Sequence, residues 1–278
     1  MGKEKSQKPH DLNGDEQLEA RRRMAPKAAI VYEAIRKEGE IELERNMSAL
    51  MWSGLAAGLS MGFSFLMEAL LAYYLPEARW VPLLSKLGYS IGFLIVVLGR
   101  QQLFTENTLT AILPLLSQWR LKTLLKVIRL WLAVMVANLT GAFLFAALLW
   151  VMSRFQFNFY PELLSIAQKG NHAGFLDTFI SAIFAGWLIA LMVWLMPFAE
   201  TARVGIIIII TYMVGLGGFA HIIAGSVSAI YKVMLTQTTI GYFFTCFFGP
   251  ALLGNIVGGV AFVAILNYAQ ISPDQPVP

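Results

Sequence analysis

The chain has 278 residues, of which 57% are apolar and only 14% charged, and its mean hydropathy is +0.63. Soluble domains hold roughly 45–50% apolar and about 25% charged residues, so this composition excludes an ordinary soluble enzyme and indicates an all-α membrane protein. The net charge of +4 gathers in the first 46 residues and a few joints, which points to a membrane surface and lipid headgroups and away from nucleic acid.

Residues 1–28 read as a disordered, mixed-charge tail. From Ala29 to Arg45 apolar positions at Ile30, Ala34 and Ile41 alternate with charge, which suits a short amphipathic helix on the membrane surface or a solvated lead-in. The first 46 residues are hydrophilic, so no cleavable signal is expected there. The predicted spans are 47–75, 83–117, 123–153, 174–199, 202–232 and 239–270, a single membrane domain over 47–270 with a short tail at 271–278.

The second and fifth spans are long and interrupted. The second carries Arg100, Gln101, Gln102, Thr105, Glu106 and Asn107 at its middle; the fifth carries Gly215, Gly217 and Gly218 just before Phe219 and His221. Such stretches predict broken helices, because unwound backbone at membrane depth is tolerated only inside protein or along a wet cavity. Arg120, Lys122, Lys126 and Arg129 join spans two and three, and Arg36, Lys37 and Arg45 precede span one. This bias places both termini in the cytoplasm.

The halves echo one another. Ser53-Gly54 to Gly58 in span one matches Ser181-Ala182 to Gly186 in span four, and Asn138 to Gly141 matches Asn255 to Gly258. Between them Phe104-Thr105 pairs with Phe219-Ala220, with 34 and 36 residues from phenylalanine to asparagine. Three spans followed by three predict an inverted repeat whose broken second and fifth helices meet near the midplane. Small-residue packing motifs are the competing explanation.

At the breaks the sequence resembles a known family. Gly99-Arg-Gln-Gln-Leu-Phe-Thr105, Gly217-Gly-Phe-Ala-His221 and Leu253-Gly-Asn-Ile-Val-Gly-Gly259 are similar, in order and spacing, to three signatures of the formate/nitrite transporter family. The nearest likeness is to its YfdC-type bacterial inner-membrane branch. The resemblance covers roughly residues 30–270. It implies an aquaporin-like fold, a homopentamer and one pore per protomer, carrying small monovalent anions or their conjugate weak acids. Leu103 and Phe104 then resemble the family's constriction pair. Arg100 to Gln102 stand where the family carries a small or acidic pair, Ala220 replaces an acid, and Ala190 replaces an asparagine. Gly174 stands where a lysine is usual, with Lys169 the nearest candidate. These departures bear on selectivity.

Among the three histidines, His10, His172 and His221, only the last lies inside a span. An intramembrane histidine is costly and marks function by default, and its ordinary pKa near 6.5 suits proton exchange. His221 is expected to be the proton donor and Thr105 its hydrogen-bond partner; a packing role for the ring, or a bond from Thr105 to its own helix, is the structural alternative. Tyr89, Phe93, Val193 and Val214 fall where they would line the pore, or simply pack the bundle. Asn138 and Asn255 read as interhelical hydrogen-bonders, with a pore-facing role open to Asn255. Arg100 and Glu106 form either a charge-paired clamp across the break or a change in selectivity, and Glu68 is expected at an interface or in a pair. Cys246 excludes an intrachain disulfide, and neither a cofactor nor a metal site is indicated. No nucleophile–base pair argues for an enzyme. A channel for a small neutral solute, or a non-conducting scaffold or sensor working through residues 1–46, remains the alternative.

Overall fold

The computed structural model describes residues 13–23, 26–155, 158–169 and 174–271. His10, His172 and residues 272–278 lie outside them. Among the described residues every regular element is helical. The expected unstructured tail contains α1 (Gly14–Arg23). Its start is a capping box: Asn13 N–H donates to Glu16 Oε2 at 2.8 Å, and Glu16 N–H donates to Asn13 Oδ1 at 2.9 Å.

α2 (Ala28–Leu43) buries Tyr32, Ile35, Gly39 and Leu43, a helical stripe of the usual period. The stripe foreseen from Ile30 and Ile41 is not the buried one, since these residues are 52% and 69% exposed. α2 therefore docks on protein. A Cβ at Gly39 would come 2.0 Å from Thr110 O, and the Tyr32 hydroxyl lies 2.6 Å from Ser117 Oγ. Lys126 pairs with Glu44, and Arg129 donates to Leu43 O at 2.7 Å.

The body begins with α3 (Met47–Tyr74), capped by Asn46 Oδ1, which accepts from Ser48 N–H. α4 (Val81–Leu98) follows, with Lys86 reaching back to Glu68 of α3 at 2.5 Å. After a break come α5 (Phe104–Thr110) and α6 (Ile112–Ser117). α7 (Leu121–Phe155) closes the first half, and α8 (Tyr160–Lys169) connects to the second. There α9 (Phe175–Phe198), α10 (Arg203–Leu216), a second break, α11 (Ile222–Met234) and α12 (Ile240–Ile271) repeat the order. Among the described residues α3, α4, α7, α9 and α12 are long and apolar enough to cross a membrane. The predicted fifth span is divided between α10 and α11, and neither piece reaches that length alone.

Packing within each half follows one plan. α3 lies against α7 because Gly58 meets the Asn138 backbone, where a Cβ would stand 2.1 Å from its carbonyl oxygen. Gly186 of α9 meets Asn255 of α12 in the same way, at 2.3 Å. Gly141 and Gly258 sit equally close to the carbonyls of Leu55 and Ile183. Small residues let membrane helices approach to backbone distance.

The breaks are also equivalent. After α4, Gln101 N–H donates to Val96 O at 2.9 Å; after α10, Phe219 N–H donates to Val214 O at 3.0 Å. This six-to-one closure places one residue in the left-handed region: Arg100 at φ 53° in the first half and Gly218 at φ 63° in the second. The chain then runs extended until α5 and α11 begin. Asn138 Oδ1 accepts from Phe104 N–H, while its Nδ2 donates to Gly54 O and Gln102 O. Asn255 Oδ1 accepts from Ile222 N–H, while its Nδ2 donates to Ala182 O and Ala220 O. Ser53 Oγ and Ser181 Oγ accept from Gln102 N–H and Ala220 N–H, both at 3.1 Å.

These bonds correct the register read from sequence. Phe104 corresponds to Ile222 and not to Phe219, and the spans to the asparagines are 34 and 33 residues. Leu103 consequently occupies the position of His221. Identity of the two phenylalanines misled the sequence pairing; backbone hydrogen bonding decides it.

Removing either asparagine side chain orphans two buried backbone groups, the first N–H of the next helix and a carbonyl of the break, each worth about 1–3 kcal/mol, and takes a second bond from a helical carbonyl. Asn138→Ala and Asn255→Ala should therefore each lower stability by several kcal/mol, read as an early melt in detergent by size-exclusion fluorescence; wild-type melting would contradict this account. Arg100→Gly should change stability by no more than about 1 kcal/mol. It relieves left-handed strain of that order and gives up only the exposed pair with Glu38. Gly218→Ala introduces the same strain and should melt earlier.

Candidate functional site

α5 and α11 begin inside the protein, and the residue before each start is buried, Leu103 in one half and His221 in the other. His221 precedes α11 with extended backbone, φ −89° and ψ 123°; Leu103 precedes α5 at φ −104° and ψ 130°. The His221 ring is 1% exposed. Its Nε2 lies 2.8 Å from Thr105 Oγ1, and its Nδ1 accepts from Ala224 N–H at 3.2 Å. An occupied Nδ1 acceptor assigns the neutral Nε2–H tautomer, with Nε2 donating to the threonine oxygen. The Thr105 hydroxyl hydrogen is then directed elsewhere. Phe93, fully buried, stands edge-on to the imidazole with ring centroids 5.0 Å apart.

Two cavities approach this cluster. One, of about 140 Å³, is lined by Glu68, Lys86, Tyr89, Val214, His221 and Lys232. The other, of about 220 Å³, is lined by Glu38 and Glu42 of α2 together with Arg100, Leu103, Glu106, Val193 and Arg203. They are built alike. Residues 218, 219, 220, 221, 224, 225 and 228 line the first, and their counterparts 100, 101, 102, 103, 106, 107 and 110 line the second. Phe93, Leu103, Thr105 and His221, each at most 1% exposed, form the septum. The imidazole packing foreseen as the structural alternative is met in its hydrogen bonds, yet the ring also borders a cavity.

Most residues singled out from sequence converge here. Tyr89 and Val214 line the lysine-bearing cavity, Val193 the one beside α2, and Phe93 the septum between them. Phe104 does not join Leu103: it packs edge-on against Trp131 of α7 at 5.8 Å and lines neither cavity. Asn255 has no amide hydrogen left for a solute, so it positions the site. The clamp between Arg100 and Glu106 is not formed. Arg100 turns outward to Glu38 at 3.0 Å, while Glu106 Oε1 is buried with no hydrogen-bond partner.

Several lining residues escaped sequence reasoning. Lys232 follows His221 by eleven residues, about three helical turns, and so shares its face of α11 with Ser228. That spacing was a legible signal. Glu38 and Glu42 were not, because nothing local to α2 indicates that it closes a cavity.

Comparisons with known proteins agree with this architecture. The family model described as "Formate/nitrite transporter" matches residues 29–269. The chain is 39% identical over 252 residues to "Inner membrane protein YfdC" of Escherichia coli (strain K12), covering 91% of this chain and 81% of that protein. It is 27% identical to "Formate channel BtFdhC" of Bacillus thuringiensis, over 86% of this chain and 93% of that one. Among solved structures, "Pentameric formate channel with formate bound" superposes with a TM-score of 0.66 at 21% identity, covering 81% of this chain and 98% of that chain. The fold is thus that of a recognised group, and the chain belongs to the formate/nitrite transporter family.

Proposed function

We propose that the chain is a passive or proton-coupled conduit for small monovalent anions of the formate and nitrite kind, or for their conjugate acids, and not an enzyme. The observation that carries this reading is the buried cluster between the two linings: His221 lines one cavity, Leu103 lines the other, and Thr105, two residues past Leu103, is hydrogen-bonded to the imidazole. Apolar rings exclude hydrated ions, whereas a neutral weak acid crosses them at far lower cost. The same cluster therefore passes the acid and blocks the salt.

In this reading the halves form six membrane crossings of opposed orientation, α4 with α5 and α10 with α11 each counting as one broken crossing, as in the aquaporin-like plan. The basic starts of α3 and α7 support a cytoplasmic α2 side and cytoplasmic termini. An inner-membrane location and a homopentameric assembly accord with the Escherichia coli inner membrane protein and the pentameric formate channel that the chain is similar to.

Lys86 and Lys232 line the cavity through which a monovalent anion would enter, with Glu68 beside them. The amino-terminal end of α11 adds a positive field at the septum. There His221 acts as proton donor. As the neutral ring it donates Nε2–H to Thr105; as a source of a transferable proton it must first be protonated at Nδ1, which displaces the Ala224 N–H. Thr105 presents its hydroxyl to the solute, and Leu103, backed by Phe93, is the gate.

The test is uptake of labelled formate, acetate and nitrite into proteoliposomes. His221→Ala should lower uptake on the order of tenfold or more while the assembled protein elutes unchanged; undiminished uptake would sink the proton-donor role. Lys232→Met should slow anion entry several-fold at low ionic strength and by less in high salt, where screening already weakens the steering. A salt-independent deficit would mean that Lys232 acts by packing instead.

A further inference from the structure

Glu106 is not needed by the fold. Its counterpart in the second half is Ala224, and the helix break there is held by the same set of backbone hydrogen bonds. It is also not part of an ion pair: among the described residues, its cation neighbour Arg100 is paired with Glu38 of α2, and Glu42 is paired with Arg45 at 3.1 Å. Asn107, beside it, is engaged with Gln102 Oε1 at 2.9 Å. What remains is a carboxyl whose Oε1 is buried without a partner, together with the similarly unpartnered Gln101 Oε1, on the wall of one cavity. Buried polar atoms of this kind are rare and call for an explanation. Glu106 stands one helical turn beyond Leu103 and lines the α2-side cavity with it, whereas His221 lines the other cavity. Each half thus contributes one ionisable group, on opposite sides of the septum.

We infer that Glu106 is a proton-exchange group for the permeating acid on the α2 side of the gate. This rests on the weak-acid reading of the conduit and adds the group that completes it. A neutral acid that has passed Leu103 transfers its proton to the Glu106 carboxylate. The O–H bond of the acid breaks, an O–H bond forms on Glu106, and the anion leaves through the cavity. Glu106 then returns the proton to water in the same cavity. In the reverse direction it supplies the proton before the gate is entered. The charged groups facing this cavity are Arg100, Glu38, Glu42 and Arg203. Two of these are carboxylates and two are guanidiniums, so their formal charges balance and Glu106 is the carboxyl without an ion-pair partner among the described residues of this wall.

The experiment uses membrane vesicles of both orientations carrying the full chain, with labelled formate as the probe and pH varied only in the medium. Wild-type flux should vary up to about tenfold per pH unit on the α2 side. In Glu106→Gln, and in Glu106→Ala, which copies the second half, that dependence should fall below about twofold in the vesicles exposing α2. Dependence on pH at the lysine-bearing side should persist, and Glu106→Asp should restore part of the response. If both variants keep the wild-type profile on the α2 side, Glu106 exchanges no proton and this inference fails alone. If the wild-type chain passes no weak acid in either orientation, the conduit reading fails and takes this one with it.

Discussion

Backbone that leaves a helix inside a membrane must find its hydrogen bonds within the protein, and here that obligation is met by Asn138 and Asn255. Each spends its entire amide on three backbone groups, two on the incoming chain and the facing helix and one on the first N–H of the next helix. Neither therefore has donors left for a solute. What they determine is position: Leu103 and His221 are held at the two helix starts. Thr105, two residues beyond Leu103, is brought within 2.8 Å of the imidazole. The glycines that bring α3 to α7 and α9 to α12 serve the same end, since the asparagines reach the opposite carbonyls only when the backbones are nearly in contact.

The result is a symmetric backbone carrying asymmetric chemistry. The septum has leucine on one side and histidine at the matching place on the other. One turn later it has Glu106 against Ala224, and at the left-handed position Arg100 against Gly218. The scaffold accepts glycine at that last position without strain, so arginine there is kept for its side chain, which ties α2 to the break through Glu38. The two cavities are thus the same construction lined by different ionisable groups.

Much of this was legible in the sequence. Polar residues and glycine clusters inside otherwise apolar stretches marked both breaks, because in a membrane only satisfied or cavity-lining backbone can be irregular. The His221 and Thr105 pairing followed from the crossing of the two breaks. The register of the repeat did not, since phenylalanine at 104 and 219 offered an identity that the hydrogen bonds reject in favour of Ile222. The docking of α2 was hidden because its contacts are with α5 to α7, distant in sequence, and its buried stripe includes a glycine and a tyrosine that hydrophobic periodicity does not weigh. The partner of Arg100 was hidden for a related reason: proximity along the chain favoured Glu106, whereas a left-handed residue directs its side chain away from the helix it terminates.

The bond between Ala224 N–H and His221 Nδ1 links the charge of the ring to the structure around it. An imidazolium carries hydrogen on both nitrogens, and a second N–H cannot share a line with the N–H of Ala224. Charging His221 therefore requires the ring to turn or the start of α11 to yield, and either movement disturbs the 2.8 Å contact with Thr105. The neutral ring has both nitrogens engaged, and charging it gives up at least the bond from the Ala224 N–H. Charging the ring therefore costs these buried hydrogen bonds, about 1 kcal/mol each in net terms, in addition to the larger cost of burying a charge.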